Sequence, residues 1–353
     1  MKTNKLSFAR KLKVLLVFYS FLIFIFILIA ESYLSIFNPQ EYIYPRKIYS
    51  AEYGTINPPN TKFEHFLHPE TRYYSTNKHG LRGDYIEISD FYSVPNIVLL
   101  GDSYTFGIGV NDGFEFSSVL AKSVSQNYNI INTGVGGWGL TQQIRRYYSF
   151  AHKFKPKKVF LLFCGNDPID NINFPVINII DGKFNFIDLN NADSNFRKKM
   201  NDLLANSFIL KSNLYMVVSR KIYPRIINLF RKKVDEKSLN DDTLKIQENY
   251  NELINLFAKD LNSQGIEFYI TSVNSINKDS IKSYQIDAYP IIKNNILKLE
   301  KNKLIDFVEI NDWYTKDDFK RSPVEHYDIR WNFILGGKLG NYLLDNKNSY
   351  LNY

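Results

Sequence analysis

The chain has 353 residues, with 44 Lys and Arg against 36 Asp and Glu, a formal charge of +8. Its 44% hydrophobic and 16% aromatic content is that of an ordinary folded protein, which excludes a largely disordered or low-complexity chain. A single cysteine excludes a disulfide scaffold and a thiolate-rich zinc or iron–sulfur site, and five histidines leave little for a histidine-built metal centre.

Residues 14–30 (VLLVFYSFLIFIFILIA) carry no charge. As a helix this run of about 17 residues spans ~25 Å, near the lower limit for crossing a bilayer core. Lys2, Lys5, Arg10, Lys11 and Lys13 precede it without an acidic residue, and Glu31 follows it. That bias predicts a cytoplasmic tail over 1–13, a membrane anchor over 14–30, and the rest of the chain outside, periplasmic or at the cell surface. The leading basic residues supply most of the net charge, so the pI of 9.1 is not a nucleic-acid footprint. Signal-peptide cleavage needs small residues at the cut, and Leu28-Ile29-Ala30 fits that poorly, so the anchor is expected to stay.

Residues 31–95 are rich in Tyr, Pro and Asn with weak periodicity, and read as a juxtamembrane stalk that ends packed on the following domain, with a structured turn at Asn77–Gly83. His65 and His68, spaced i, i+3, are expected on a surface turn rather than on a metal.

From residue 96 a regular alternation predicts a domain over 96–345. Asn96–Leu100, Asn129–Asn132 and Val159–Cys164 read as strands, and so do Ile266–Val273 and Leu304–Ile310. Helices are predicted at about 115–126, 140–153 and 244–262. The last carries apolar residues at Ile246, Tyr250, Leu253, Ile254, Phe257 and Leu261, and Gly265 follows as a stop. This alternation argues for an α/β fold, a parallel five-stranded sheet with helices on both faces. Residues 170–243 break the repeat and read as an insertion. It is expected to hold a hairpin at Asp181-Gly182 and a basic helical stretch over 203–233, part of which (Tyr215 to Lys233) could lie along a membrane.

Three turns carry the chemistry. The first strand runs into Gly101-Asp102-Ser103-Tyr104-Thr105-Phe106-Gly107, where a serine on a tight turn projects above the sheet edge at a helix N-terminus, the surroundings a nucleophilic hydroxyl needs. The second runs into Gly134-Val135-Gly136-Gly137-Trp138-Gly139, whose glycines let backbone approach a ligand. Gly134, Gly136 and Gly139 also satisfy G-x-G-x-x-G, but a dinucleotide is rejected. The domain is predicted outside the cytoplasm, and the acidic residue after the next strand, Asp167, belongs to a separate turn. The third strand runs into Gly165-Asn166-Asp167-Pro168, where the Asn amide can donate to a developing oxyanion. Alone, that tetrapeptide reads as turn chemistry.

Together, Ser, Gly and Asn after three successive strands resemble the SGNH hydrolase superfamily, the GDSL esterases and lipases, strongly over 96–170 and weakly over 304–343. The resemblance implies a three-layer, flavodoxin-like SGNH fold and a membrane-anchored bacterial type of the family. It also implies Ser103 as nucleophile, with the Ser103 N–H, the Gly137 N–H and the Asn166 side chain as oxyanion hole. In the family's last block an Asp and a His stand near a helix start. This chain reads His326-Tyr327-Asp328-Ile329-Arg330-Trp331-Asn332, so Asp328 falls in place while Arg330 occupies the histidine slot. Arginine stays protonated and accepts no proton from serine. Three readings stay open: His326 takes over as base, Asp328 acts directly, or the site is silent.

The expected function is an extracytoplasmic ester hydrolase acting on an acylated glycan or lipid, through an acyl-enzyme on Ser103. The alternatives are an O-acyltransferase on an envelope glycan with the same site, and a silent SGNH-fold binding module, which Arg330 favours. No cofactor, metal or nucleic-acid partner is implied.

Overall fold

The computed structural model describes residues 8–83, 94–173, 175–189, 192–223, 225, 236–273, 286, 289–310, 313 and 328–344. Helix α1 (Phe8–Phe37) is long and apolar enough to cross a membrane. Its residues 10–29 are exposed on every face, which suits Leu, Ile and Phe to lipid rather than to water.

The segment that follows folds into short antiparallel strands. β1 (Tyr42–Tyr44), β4 (Lys62–Leu67) and β5 (Glu70–Ser75) form one sheet in the order β1-β4-β5, and β2 (Ile48–Ser50) pairs with β3 (Gly54–Ile56). Along β4 the period of two turns Phe63, His65 and Leu67 inward. His65 is therefore not on a surface turn. It is 6% exposed and edge-on to Tyr74 at 6.1 Å, whereas His68 does sit exposed in the turn after the strand.

The five-stranded sheet is parallel throughout. β6 (Asn96–Leu100), β7 (Asn129–Asn132), β8 (Lys158–Phe163), β11 (Glu267–Ser272) and β12 (Asp306–Phe307) run in the order β12-β11-β8-β6-β7. The parallel five-stranded sheet expected is present, in a doubly wound order. Its reversal between β6 and β8 opens a crevice at the strands' carboxyl ends. β6 is buried at every position, which is why it reads as an unbroken apolar run. β12 is shorter than the 304–310 expected. The preceding helix ends in a tight wrap, with Lys303 at φ +58° and the Leu304 N–H on the Leu299 carbonyl, so pairing starts late.

Helices α2 (Ser103–Phe106), α3 (Phe116–Val124), α4 (Leu140–Ser149) and α5 (Asp167–Asn173) follow the first three strands of the sheet. β9 (Ile177–Ile180) and β10 (Lys183–Phe186) form the hairpin around Asp181-Gly182. The helical stretch predicted over 203–233 is broken. α6 (Ala192–Ala205), a 3-10 turn (Phe208–Lys211), α7 (Asn213–Val217) and a wider turn (Val218–Ile222) replace it. Two serines cause the breaks: Ser207 Oγ accepts the Ile209 N–H and Ser212 Oγ accepts the Tyr215 N–H, each starting a new turn. Both breaks lie before Tyr215: the chain stays helical from Tyr215 through Ile222, its last turn widened, and most of the remainder of Tyr215–Lys233 lies outside the described residues. Glu31, at the end of the apolar run, accepts from the Ser212 hydroxyl and the Asn213 N–H (2.7 Å each) and from the Leu214 N–H (2.9 Å).

α8 (Glu236–Ser263), α9 (Pro290–Lys301) and α10 (Ile329–Leu343) complete the fold. α8 buries Tyr250, Leu253, Ile254, Phe257 and Leu261, the face its 3.6-residue period specifies. α10 packs tightly on α3. A Cβ added to Gly336 would stand 2.5 Å from the Phe116 carbonyl oxygen, so only glycine allows that approach.

Candidate active site

The three glycine-containing turns meet at the crevice. Asp102 caps the one-turn helix α2 by accepting the Tyr104 N–H (2.9 Å), which fixes the backbone at Ser103. Residues 101–102 and 104–107 are buried while Ser103 is partly exposed, so the hydroxyl is the point of that turn open to solvent. Its Oγ donates to Asp102 Oδ2 at 3.3 Å.

The second turn is stitched onto the first. Asn132 Nδ2 donates to the Thr105 carbonyl (2.6 Å) and to Ser117 Oγ (2.8 Å), while Asn132 Oδ1 accepts the Gly134 N–H (2.9 Å). Gly136 lies against the Ser103 turn, because a Cβ built on it would stand 3.5 Å from Ser103 Cβ. Gly137, at φ +71°, is exposed between buried neighbours.

The third turn is tied to the second: Asn171 Oδ1 accepts the Thr141 N–H (2.9 Å), and Gln143 Nε2 donates to Asp167 Oδ1 (3.3 Å). Asp167 Oδ2 also accepts the Cys164 N–H (3.0 Å). Asn166 is partly exposed, and its Nδ2 donates to Asp170 Oδ2 at 2.7 Å. The Asn166 side chain also bonds the buried Asp102 carboxyl, so it is held between two aspartates at the mouth of the crevice.

The floor of the site is acidic and dry. Burial pushes the Asp102 carboxyl above the ordinary aspartate range against the bonds it accepts, including that from the Tyr104 N–H. Burial, then the neighbouring Asp102 charge, pushes Asp167 well above it. Burial likewise raises the Cys164 thiol.

Asp328 stands at the start of α10, where its Oδ1 accepts the Trp331 N–H (3.0 Å). Asn332 continues the anchorage, its Oδ1 accepting the Phe116 N–H at 2.8 Å. Arg330 is exposed on the first turn of the same helix. His326 lies outside the described residues. Among the described residues, no group of three or more His, Cys, Asp or Glu is placed to hold a metal ion.

Two residues enter this site without a local sequence signal. Asp170 stands one turn beyond Asn166 on α5. Lys47 comes from the weakly periodic segment between β1 and β2, and its Nζ donates to the Gly136 carbonyl. Burial lowers the Lys47 amine from the ordinary lysine range, while the Asp170 and Asp102 carboxylates pull it back up.

A family model described as GDSL-like Lipase/Acylhydrolase matches residues 97–287, more than half of the chain. Comparison with the curated proteins gives no match. Among solved structures, the chain is similar to Est24, a carbohydrate acetylesterase from Sinorhizobium meliloti, at 9% identity and a TM-score of 0.40, over 71% of this chain and 99% of that one. It is also similar to the psychrotrophic esterase EstA from Pseudoalteromonas sp., at 11% identity and a TM-score of 0.40, over 72% and 99%. A member of the lipolytic protein G-D-S-L family from Veillonella parvula matches at 12% identity and a TM-score of 0.40, over 72% and 100%. These three likenesses are too distant to carry a role over to any residue here.

Proposed function

Because this chain belongs to the GDSL-like lipase/acylhydrolase family, whose members cleave esters, we propose that it is a membrane-anchored acyl-ester hydrolase working through Ser103. The observation that carries this reading is that Ser103, Gly137 and Asn166 are the solvent-reaching points of turns tied to one another at one sheet edge. Ser103 Oγ attacks the ester carbonyl and its proton passes to His326. The alcohol leaves with a proton from the same base, and water then releases the acid from the acyl-enzyme. The Ser103 and Gly137 N–H groups and the Asn166 side-chain amide, turning from its carboxylate partners, receive the negative oxygen in both halves. Arg330, permanently charged, takes no part in that proton transfer.

The exposed apolar surface of α1 supports anchoring, and the basic residues ahead of it support an inward N-terminus with the hydrolase outside. From that location the substrate is an acylated envelope glycan or a lipid. A sugar hydroxyl replacing water in the second half would make the same site an O-acyltransferase.

The test uses the full chain in detergent micelles with p-nitrophenyl acetate. Ser103→Ala is expected to abolish turnover, and Asn166→Ala to lower kcat about 100-fold or more. His326→Ala should match the serine variant. An active His326→Ala protein would move the base role to Asp328. Absence of both turnover and fluorophosphonate labelling of Ser103 in the unaltered protein would instead favour a silent binding module.

A further inference from the structure

Lys47 lies far from the motif turns in sequence, yet it grips the loop that carries the Gly137 N–H. Its Nζ donates to the Gly136 carbonyl, and a Cβ built on Gly137 would stand 3.4 Å from the same nitrogen. The carbonyl of Gly136 and the N–H of Gly137 belong to one peptide unit. In a trans peptide these two groups point in opposite directions, so whatever holds the carbonyl also aims the N–H.

This particular peptide needs holding. It lies between two glycines, and Gly137 already sits at φ +71°. Glycine occupies positive and negative φ with little preference, so rotation of that plane meets little local resistance. The loop is bonded to the turn of Ser103 by Asn132 Nδ2 on the Thr105 carbonyl and by the Val135 N–H on the Gly101 carbonyl (3.3 Å), and beyond the two glycines the Trp138 N–H closes back on the Val135 carbonyl (3.2 Å). The Gly136–Gly137 peptide lies between those two anchorages, where the Lys47 ammonium is the side chain bonded to it. The same cation feels the Asp170 carboxylate, which holds the Asn166 amide at 2.7 Å. Lys47 and Asp170 thus stand behind the second and third donors of the hole.

We propose that Lys47 is a positioning residue of the active site, fixing the Gly136–Gly137 peptide so that its N–H faces the reacting oxygen. The segment between the membrane helix and the hydrolase sheet thereby completes the site. This rests on Gly137 acting as an oxyanion donor, as proposed above.

A donor aimed only part of the time is expected to cost somewhat less than the 10²–10³-fold of a deleted one, about 10- to 100-fold in kcat. The experiment compares full-length unaltered protein, Lys47→Met, Lys47→Arg and Asn166→Ala in micelles. The expected Lys47→Met protein has kcat lowered by about 10- to 100-fold and KM changed by less than about twofold, with fluorophosphonate labelling of Ser103 slowed in parallel, because phosphonylation also develops charge in the hole. Lys47→Arg, which retains a charged donor, is expected to recover most of the rate. Thermal melts accompany each variant. Should Lys47→Met unfold, Lys47→Gln carries the comparison, since its shorter side chain also releases the carbonyl. Unchanged kcat in Lys47→Met beside an impaired Asn166→Ala would overturn the lysine's role and leave the hydrolase site standing. A rise in KM alone would also overturn it, because the lysine would then be meeting substrate. An unaltered protein inert to both ester and fluorophosphonate removes the oxyanion reading and the proposal together.

Discussion

Asp167 has no exposed surface, and it directly follows the partly exposed Asn166 in the chain. Its carboxyl and that of Asp102 both lie above the ordinary aspartate range when folded. The unfolded chain releases those protons near 3.8. A folded state that holds more protons than the unfolded one loses stability as pH rises, here from about pH 4 upward through the raised folded values. Asp167→Asn removes one of the two titrations and the repulsion between them. It is expected to flatten the fall of Tm between about pH 5 and pH 8, with the largest gain over the unaltered protein at the alkaline end. Thermal melts across that range check it, and an equal shift at every pH would contradict it. Sequence reading assigned Asp167 only to a turn, since the partner that raises it, Asp102, belongs to a different strand end and neighbours it only once both strands lie in one sheet.

Among the elements, the strands of the main sheet were legible because each is an apolar run bounded by turn residues. The insertion was less so, because serine capping divides what composition reads as continuous helix. Least legible was the docking of the 31–83 segment. Its anchor is Arg82, whose side chain has no exposed surface. The guanidinium donates to the Phe106, Gly107 and Val110 carbonyls, lies 3.7 Å from the buried Glu115 carboxylate and faces the Tyr74 ring at 4.6 Å. Arg82 was visible only as part of a turn, because every group it meets is distant in sequence except Tyr74. Removing one partner of a buried pair strands the other, so Arg82→Met is expected to cost about 3–5 kcal/mol. Urea denaturation followed by tryptophan fluorescence measures it. A loss below about 1 kcal/mol would mean that solvent replaces the clamp.

For the molecule as a whole, α1 and the hydrolase fold are joined by contact as well as by chain. Glu31 caps α7, and the Gln40 N–H donates to Asn213 Oδ1 at 2.7 Å, so the insertion closes onto the end of α1. Among the described residues the apolar part of α1 is left exposed, and transfer to lipid would be favourable for it. The full chain is accordingly expected to co-sediment with phospholipid vesicles, and a version beginning at residue 31 to remain in the supernatant with its Tm within about 5 °C of the micellar protein. Vesicle sedimentation and calorimetry test the two halves of that statement. A truncated chain that still binds vesicles would place a second membrane contact on the insertion.

Residue order alone determined the apolar helix, the parallel α/β alternation and the Ser, Gly and Asn turns, because each of these is written in contiguous residues through a local period or a strand-to-turn transition. It also exposed the arginine in the slot where a histidine was expected. Only the tertiary structure decided that Lys47 and Asp170 stand beside those turns, that Arg82 locks the preceding segment in place, and that the buried aspartates face each other. Such contacts join positions far apart along the chain, and their energies arise from burial and charge that exist only after the sheet has closed.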